Sequence, residues 1–148
     1  MIQNITNENF KLFGHIIEHP GKDSGPKDKN LFTIVLREPL GIGWRIAYLV
    51  LRDRTIDKLE KHPDSFESFE PVKGRTLLYV ATEEKPDEIK CFVLDKPVIL
   101  NKGVWHGVVT IDEESEIKIS ENADVECVFL GLDCELTSKG IKKRVSFA

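Results

Sequence analysis

Four side chains with metal-binding chemistry stand at informative spacings: Glu60, His62, Glu67 and His106. Glu60 and His62 are two residues apart. On a helix they would point about 200° apart, whereas on a strand they share one face. Pro63 follows His62 and disfavours a helical conformation there, so residues 59–63 read as extended. Glu67 lies far enough past His62 for the chain to turn through Pro63 to Phe66 and return in the next strand, and Gly74 permits the tight turn that closes it. His106 comes much later, in Gly103-Val104-Trp105-His106, where a glycine turn can lead the histidine into a strand. Two imidazoles and two carboxylates make a mixed nitrogen and oxygen set suited to a divalent ion such as Mn, Fe, Co, Ni or Zn. Four titratable groups gathered in an apolar interior are costly unless a cation or ordered water compensates them. The expected ligands are therefore His62, His106, Glu60 and Glu67.

The elements that must position these groups are short and mostly extended. From residue 31 onward the runs LFTIVL, WRIAYLVL, TLLYVA, KCFVL, VIL, GVVTI, EIKIS and VECVFL follow one another, separated by turn formers or charges. Evenly spaced short strands predict an all-β barrel or two-sheet jelly roll. WRIAYLVL is nearly all apolar and is expected to be buried on both sides; EIKIS alternates and should have one wet face. Before them, Phe10, Phe13, Ile16 and Ile17 fall at helical spacing, which predicts a helix over 7–18 capped by Thr6 or Asn7. The Gly-, Pro- and Asp-rich stretch 19–30 reads as a loop, and His15 and His19 are expected at the surface. Arg52, after a buried strand, could bind a substrate carboxylate bidentately; Lys102 and Tyr79 are further substrate-binding candidates.

Composition narrows the function classes. The chain has 148 residues, 41% of them apolar, which fits a single domain over 1–148, with a barrel core at 31–132 and a polar tail at 133–148. Net charge is −4 and the only dense basic cluster is Lys142-Lys143-Arg144, so nucleic-acid binding is not expected. No apolar run is long enough to span a membrane. The start MIQNITNENF lacks the features of a signal peptide, which with three unpaired cysteines, Cys91, Cys127 and Cys134, predicts a cytoplasmic protein with reduced thiols.

The spacing Glu60-x-His62-x4-Glu67-x6-Gly74 resembles the first cupin motif, with Glu60 in place of its first histidine, and Gly103-x2-His106 resembles the second. NFKLFGHIIE, LEKHP, FEPVKG and GVWH, in that order, are similar to the ureidoglycolate lyase family over most of the chain. Gly107 stands where that family often has a second histidine, and Glu67 where it often has an amide. The resemblance implies a cupin-like barrel, a cytosolic homodimer, a divalent metal (Ni, Zn, Mn or Fe), and cleavage of ureidoglycolate, a small-molecule substrate, into glyoxylate and urea, with whichever of Glu67 and Glu60 the metal leaves free as the catalytic base. Two alternatives stand beside it: a cupin enzyme acting on another hydroxy acid or sugar acid, such as an isomerase, and a non-catalytic small-ligand-binding cupin.

Overall fold

The computed structural model describes residues 1–144. In chain order the elements are β1 (Ile2–Asn4), α1 (Asn7–Phe10), β2 (Gly14–Ile16), β3 (Trp44–Leu51), β4 (Thr55–Lys61), β5 (Glu67–Lys73), β6 (Thr76–Ala81), β7 (Lys90–Val93), β8 (Val98–Leu100), β9 (Trp105–Thr110), β10 (Ser115–Asn122), β11 (Val128–Thr137) and β12 (Gly140–Lys143). They form a seven-stranded sheet, β1-β7-β6-β9-β4-β11-β12, and a five-stranded sheet, β2-β8-β5-β10-β3. The expected all-β, two-sheet barrel with a short N-terminal helix is what the chain forms.

Two apolar clusters explain the sheet pair. One draws Leu78, Val80 and Phe92 from the larger sheet and Phe69, Leu100 and Ile117 from the smaller, so it lies between them. The other draws only on strands of the larger sheet, with Leu59, Leu77, Tyr79, Trp105 and Leu136. Successive residues of a strand face opposite ways. TLLYVA is buried throughout because its alternate residues feed the two clusters.

Several expectations are corrected. The helix stops at Phe10 instead of reaching residue 18. Its start is as expected: Thr6 caps it, in a reciprocal capping box with Asn9. It ends early because Phe10 and Phe13 already pack edge-on against Phe92 and β2 must then run beside β8. A Cβ at residue 14 would collide with the Ile99 carbonyl, so that approach needs Gly14. His15 is thus on a strand, exposed as expected. LFTIVL forms no strand, since no neighbouring strand pairs with it, and pairing rather than propensity makes a strand. WRIAYLVL is not buried on both sides: as β3 it is the sheet's edge, with Trp44, Ile46, Tyr48 and Val50 exposed along one face. Residues 133–143 are not a loose polar tail. β11 continues to Thr137 and pairs with β12. Residues 145–148 of the expected tail lie outside the described residues.

Candidate functional site

Strand register gathers the site. β4 and β9 pair at a single point, Glu60 opposite His106. His62 follows directly on β4, where its carbonyl accepts from the Gly103 amide at 3.0 Å. Gly103 has φ 81°, a conformation glycine adopts without strain. The turn it makes delivers His106 into β9. From the other sheet, Glu67 opens β5 and faces Glu121 of β10 across the ladder.

The groups converge between the sheets. The His62 and His106 rings are 5.2 Å apart, and Phe69 packs edge-on against His106. Glu67 Oε1 is 2.8 Å from His106 Nε2, and its Oε2 is 3.5 Å from His62 Nε2. Both histidines are oriented from behind. His106 Nδ1 is 3.0 Å from the Val104 carbonyl and His62 Nδ1 is 3.0 Å from the Glu126 carbonyl. A carbonyl only accepts, so each Nδ1 carries its proton and donates. In the neutral ring the Nε2 lone pair then faces the site, the arrangement metal-ligating histidines use. Apart from the contact between His106 Nε2 and Glu67 Oε1, these two atoms and Glu121 Oε1 are buried without hydrogen-bond partners among the described residues. Buried polar atoms are seldom left bare, and one cation would satisfy the histidine and Glu67 atoms. One ligand atom each from His62, Glu67 and His106 lies within 4.8 Å of the others, which fits a divalent ion.

Glu60 differs in exposure. Its side chain is 36% exposed and its Oε1 is 3.6 Å from His106 Nε2. A cavity of about 170 Å³ opens beside Glu60 and His106. A roomier one of about 550 Å³, by Leu130 and Leu132, holds none of these groups.

Electrostatics tie the set together. Burial opposes charge on His106, but the carboxylates of Glu60 and Glu67 outweigh it and push the ring up to about 10. Burial would raise Glu67, yet the two histidines hold it well below the usual carboxylate range. The neighbouring His106 keeps Glu60 low against burial, so Glu60 is ionised at neutral pH. Burial raises Glu121, and Glu67 adds to it. A raised histidine contributes stability that is complete below its ordinary 6.5 and lost as pH rises through about 10. A depressed carboxylate contributes above its ordinary 4.5 and loses that as pH falls. The metal-free protein is therefore expected to lose stability as pH rises from 6.5 towards 10. A bound divalent ion must displace the His106 proton, so its stabilisation should grow over the same interval. Melting curves with and without metal check both slopes.

The other expected residues lie apart from the donors. Arg52, with its side chain 73% exposed, pairs with Glu114 at 3.0 Å. Tyr79 is wholly buried and donates to the Thr137 carbonyl at 2.6 Å. The β6–β9 register sets Val80 opposite His106 but Tyr79 opposite Gly107, so Tyr79 points to the far face. Lys102 pairs with Glu38 at 2.7 Å and lies over the Phe66 ring, just before β5. Sequence reasoning misses Glu121, its partner Arg45, and Cys127, whose Sγ is 3.7 Å from His62 Nδ1. Glu121 is detectable. In SEIKISEN it falls two residues past Ile119 and four past Ile117, on the face that looks inward.

No protein-family model matches the chain. Seven curated relatives do, all named ureidoglycolate lyase. That of Rhizobium leguminosarum bv. trifolii is 28% identical over 120 residues, covering 71% of this chain and 72% of its own. That of Brucella anthropi is 24% identical over 142 residues, covering 85% and 84%. By sequence, the chain is similar to the ureidoglycolate lyases over most of its length. Among solved structures, an oxalate decarboxylase variant from Bacillus subtilis aligns at TM-score 0.47 and 15% identity, over 62% of this chain and 24% of its own. Gly107 follows His106, and a Cβ there would meet Ile56 on the face opposite His106. Gly107 therefore leaves the donor set untouched.

Proposed function

We propose that this protein is a metal-dependent ureidoglycolate lyase, splitting ureidoglycolate into glyoxylate and urea. The reading is carried by one observation: a buried His62–Glu67–His106 donor set whose ligand atoms lie within 4.8 Å of one another, beside a partly exposed ionised carboxylate, in a relative of these lyases. His62, Glu67 and His106 would hold the ion. When bound, it would lower the pKa of the substrate hydroxyl and orient the C–N bond. Glu60, at the open side, takes the hydroxyl proton. The carbon–oxygen double bond forms as the carbon–nitrogen bond breaks, and the same proton passes from Glu60 to the departing nitrogen, so urea leaves neutral and no co-reactant is needed. Phe69 and the wall around it keep water from the buried face of the donors. The test is urea and glyoxylate release by protein reconstituted with Mn²⁺, Ni²⁺ or Zn²⁺. Equal amounts of both products support the reading; inertness towards ureidoglycolate with metal bound refutes it.

We further propose a homodimer through β3. This edge strand leaves one side unpaired, beside the exposed Trp44, Ile46, Tyr48 and Val50. Long apolar edge strands invite pairing. Light scattering should give twice the chain mass, and Ile46→Lys should reduce it to the single mass.

A further inference from the structure

We infer that Glu121 is a further ligand of the cation in this site, and that Arg45 holds its carboxylate in the ligating position. The inference rests on the cation site proposed above. It concerns a residue outside the His62–Glu67–His106 set, contributed by a different strand.

Geometry carries it. Glu121 and Glu67 are cross-strand neighbours on β10 and β5, and both side chains turn inward, 5% and 7% exposed. Like charges directly opposite one another on a sheet destabilise it. Two carboxylates in that position, away from water, call for positive charge around both. The histidines face Glu67, and Arg45 meets only one oxygen of Glu121. Its Nε at 2.9 Å and its Nη2 at 2.7 Å both donate to the same oxygen, Oε2 of Glu121. Arg45 itself is 48% exposed, so it reaches Glu121 from the solvent side. The other oxygen, Oε1, is left buried and without a partner, 3.9 Å from His62 Nε2. Two ligands bonded to one ion at ~2.0–2.2 Å lie ~3 Å apart at right angles and ~4.2 Å apart when opposed. The observed separation falls inside that range. An arginine that occupies one carboxylate oxygen and leaves its twin facing the metal is the outer support that fixes ligand geometry. If Glu121 served only to anchor Arg45, nothing would require Oε1 to face the histidines unpaired.

The test is calorimetric titration of the full chain with Ni²⁺ alone. The set is the unchanged protein, Glu121→Gln, Arg45→Gln, Arg45→Lys and, as a control removing the same charge at an exposed position, Glu113→Gln. Metal-free melting of each reports the fold. Arg45→Gln should weaken Ni²⁺ binding ~10–100-fold, the usual cost of losing an outer support. Glu121→Gln should weaken it at least as much, Arg45→Lys less than Arg45→Gln, and Glu113→Gln not at all. Glu121→Gln should melt no lower than the unchanged metal-free protein, because it removes a buried like-charge contact. Unchanged Ni²⁺ affinity in Glu121→Gln, with a lowered melting point, would show that Glu121 only anchors Arg45 and would overturn the inference while leaving the cation site standing. Failure of the unchanged protein to bind Ni²⁺, Mn²⁺ or Zn²⁺ would remove the cation site and the inference with it.

Discussion

Glu60→Gln is expected to cut the rate of urea release by roughly 10²–10⁴-fold, the usual contribution of a positioned general base, with the bound metal retained. The expectation follows from the division of labour among the carboxylates. Glu67 is buried between two imidazoles, and Glu121 is held by Arg45. Only Glu60 of the three keeps substantial exposure, 36% at the side chain, which a base needs in order to meet substrate and pass on a proton. Glutamine preserves the shape and the distance to His106 but cannot accept the proton. The loss should fall on kcat with KM little changed, because the removed interaction develops in the transition state. Metal content measured on the same preparation separates this outcome from its rival. Were Glu60 a required ligand, as the motif spacing alone allows, the variant would lose metal together with activity.

Much of this site is legible in the amino-acid sequence, and the part that is not has a physical cause. Pro63 disfavours a helical His62, and in an extended chain the i, i+2 spacing of Glu60 and His62 gives them a common face. Gly103 ahead of His106 announces its turn. Those are local signals, set by backbone sterics. Glu121 and Arg45 arrive through the β5–β10 and β10–β3 registers, and register is a property of strand pairs that spacing along one chain does not display. The inward face of SEIKISEN still carries a trace of it, a carboxylate in line with two isoleucines. Tyr79 departs from expectation for the same reason. TLLYVA gives no sign of which alternate residues meet the site, since both faces are buried. The register with β9 decides it, sending Val80 to the His106 side and Tyr79 away. For β3 the difference lies in burial: a run apolar on both faces reads as interior, whereas among the described residues nothing covers the face that carries Trp44, Ile46, Tyr48 and Val50.

His106→Ala should abolish both metal binding and activity, whereas His15→Ala should change neither. His106 is 4% exposed and meets Glu67 at 2.8 Å and Glu60 at 3.6 Å, so its removal takes away the one nitrogen that touches both carboxylates. The donors that remain keep a single imidazole, His62, and lose the nitrogen that lies closest to Glu67, too poor a set to hold a divalent ion against water. His15 is exposed on β2, outside the cluster, and serves as the control. The substitution also tests what the site costs the fold. Without His106, Glu67 keeps only His62 as a compensating partner, and leaving a buried charge short of its partner typically costs ~3–5 kcal/mol. Both apolar clusters stay intact, so the domain should still fold, with a lower melting point. Adding Glu67→Gln to His106→Ala removes the stranded charge and should recover most of that loss while leaving metal binding absent. A single variant that melts normally and still binds metal would mean that the two histidines do not share an ion. Recovery in the double variant, seen by thermal melting alongside metal analysis, would show that the strain comes from Glu67 and that the carboxylate is kept there for the ion it binds.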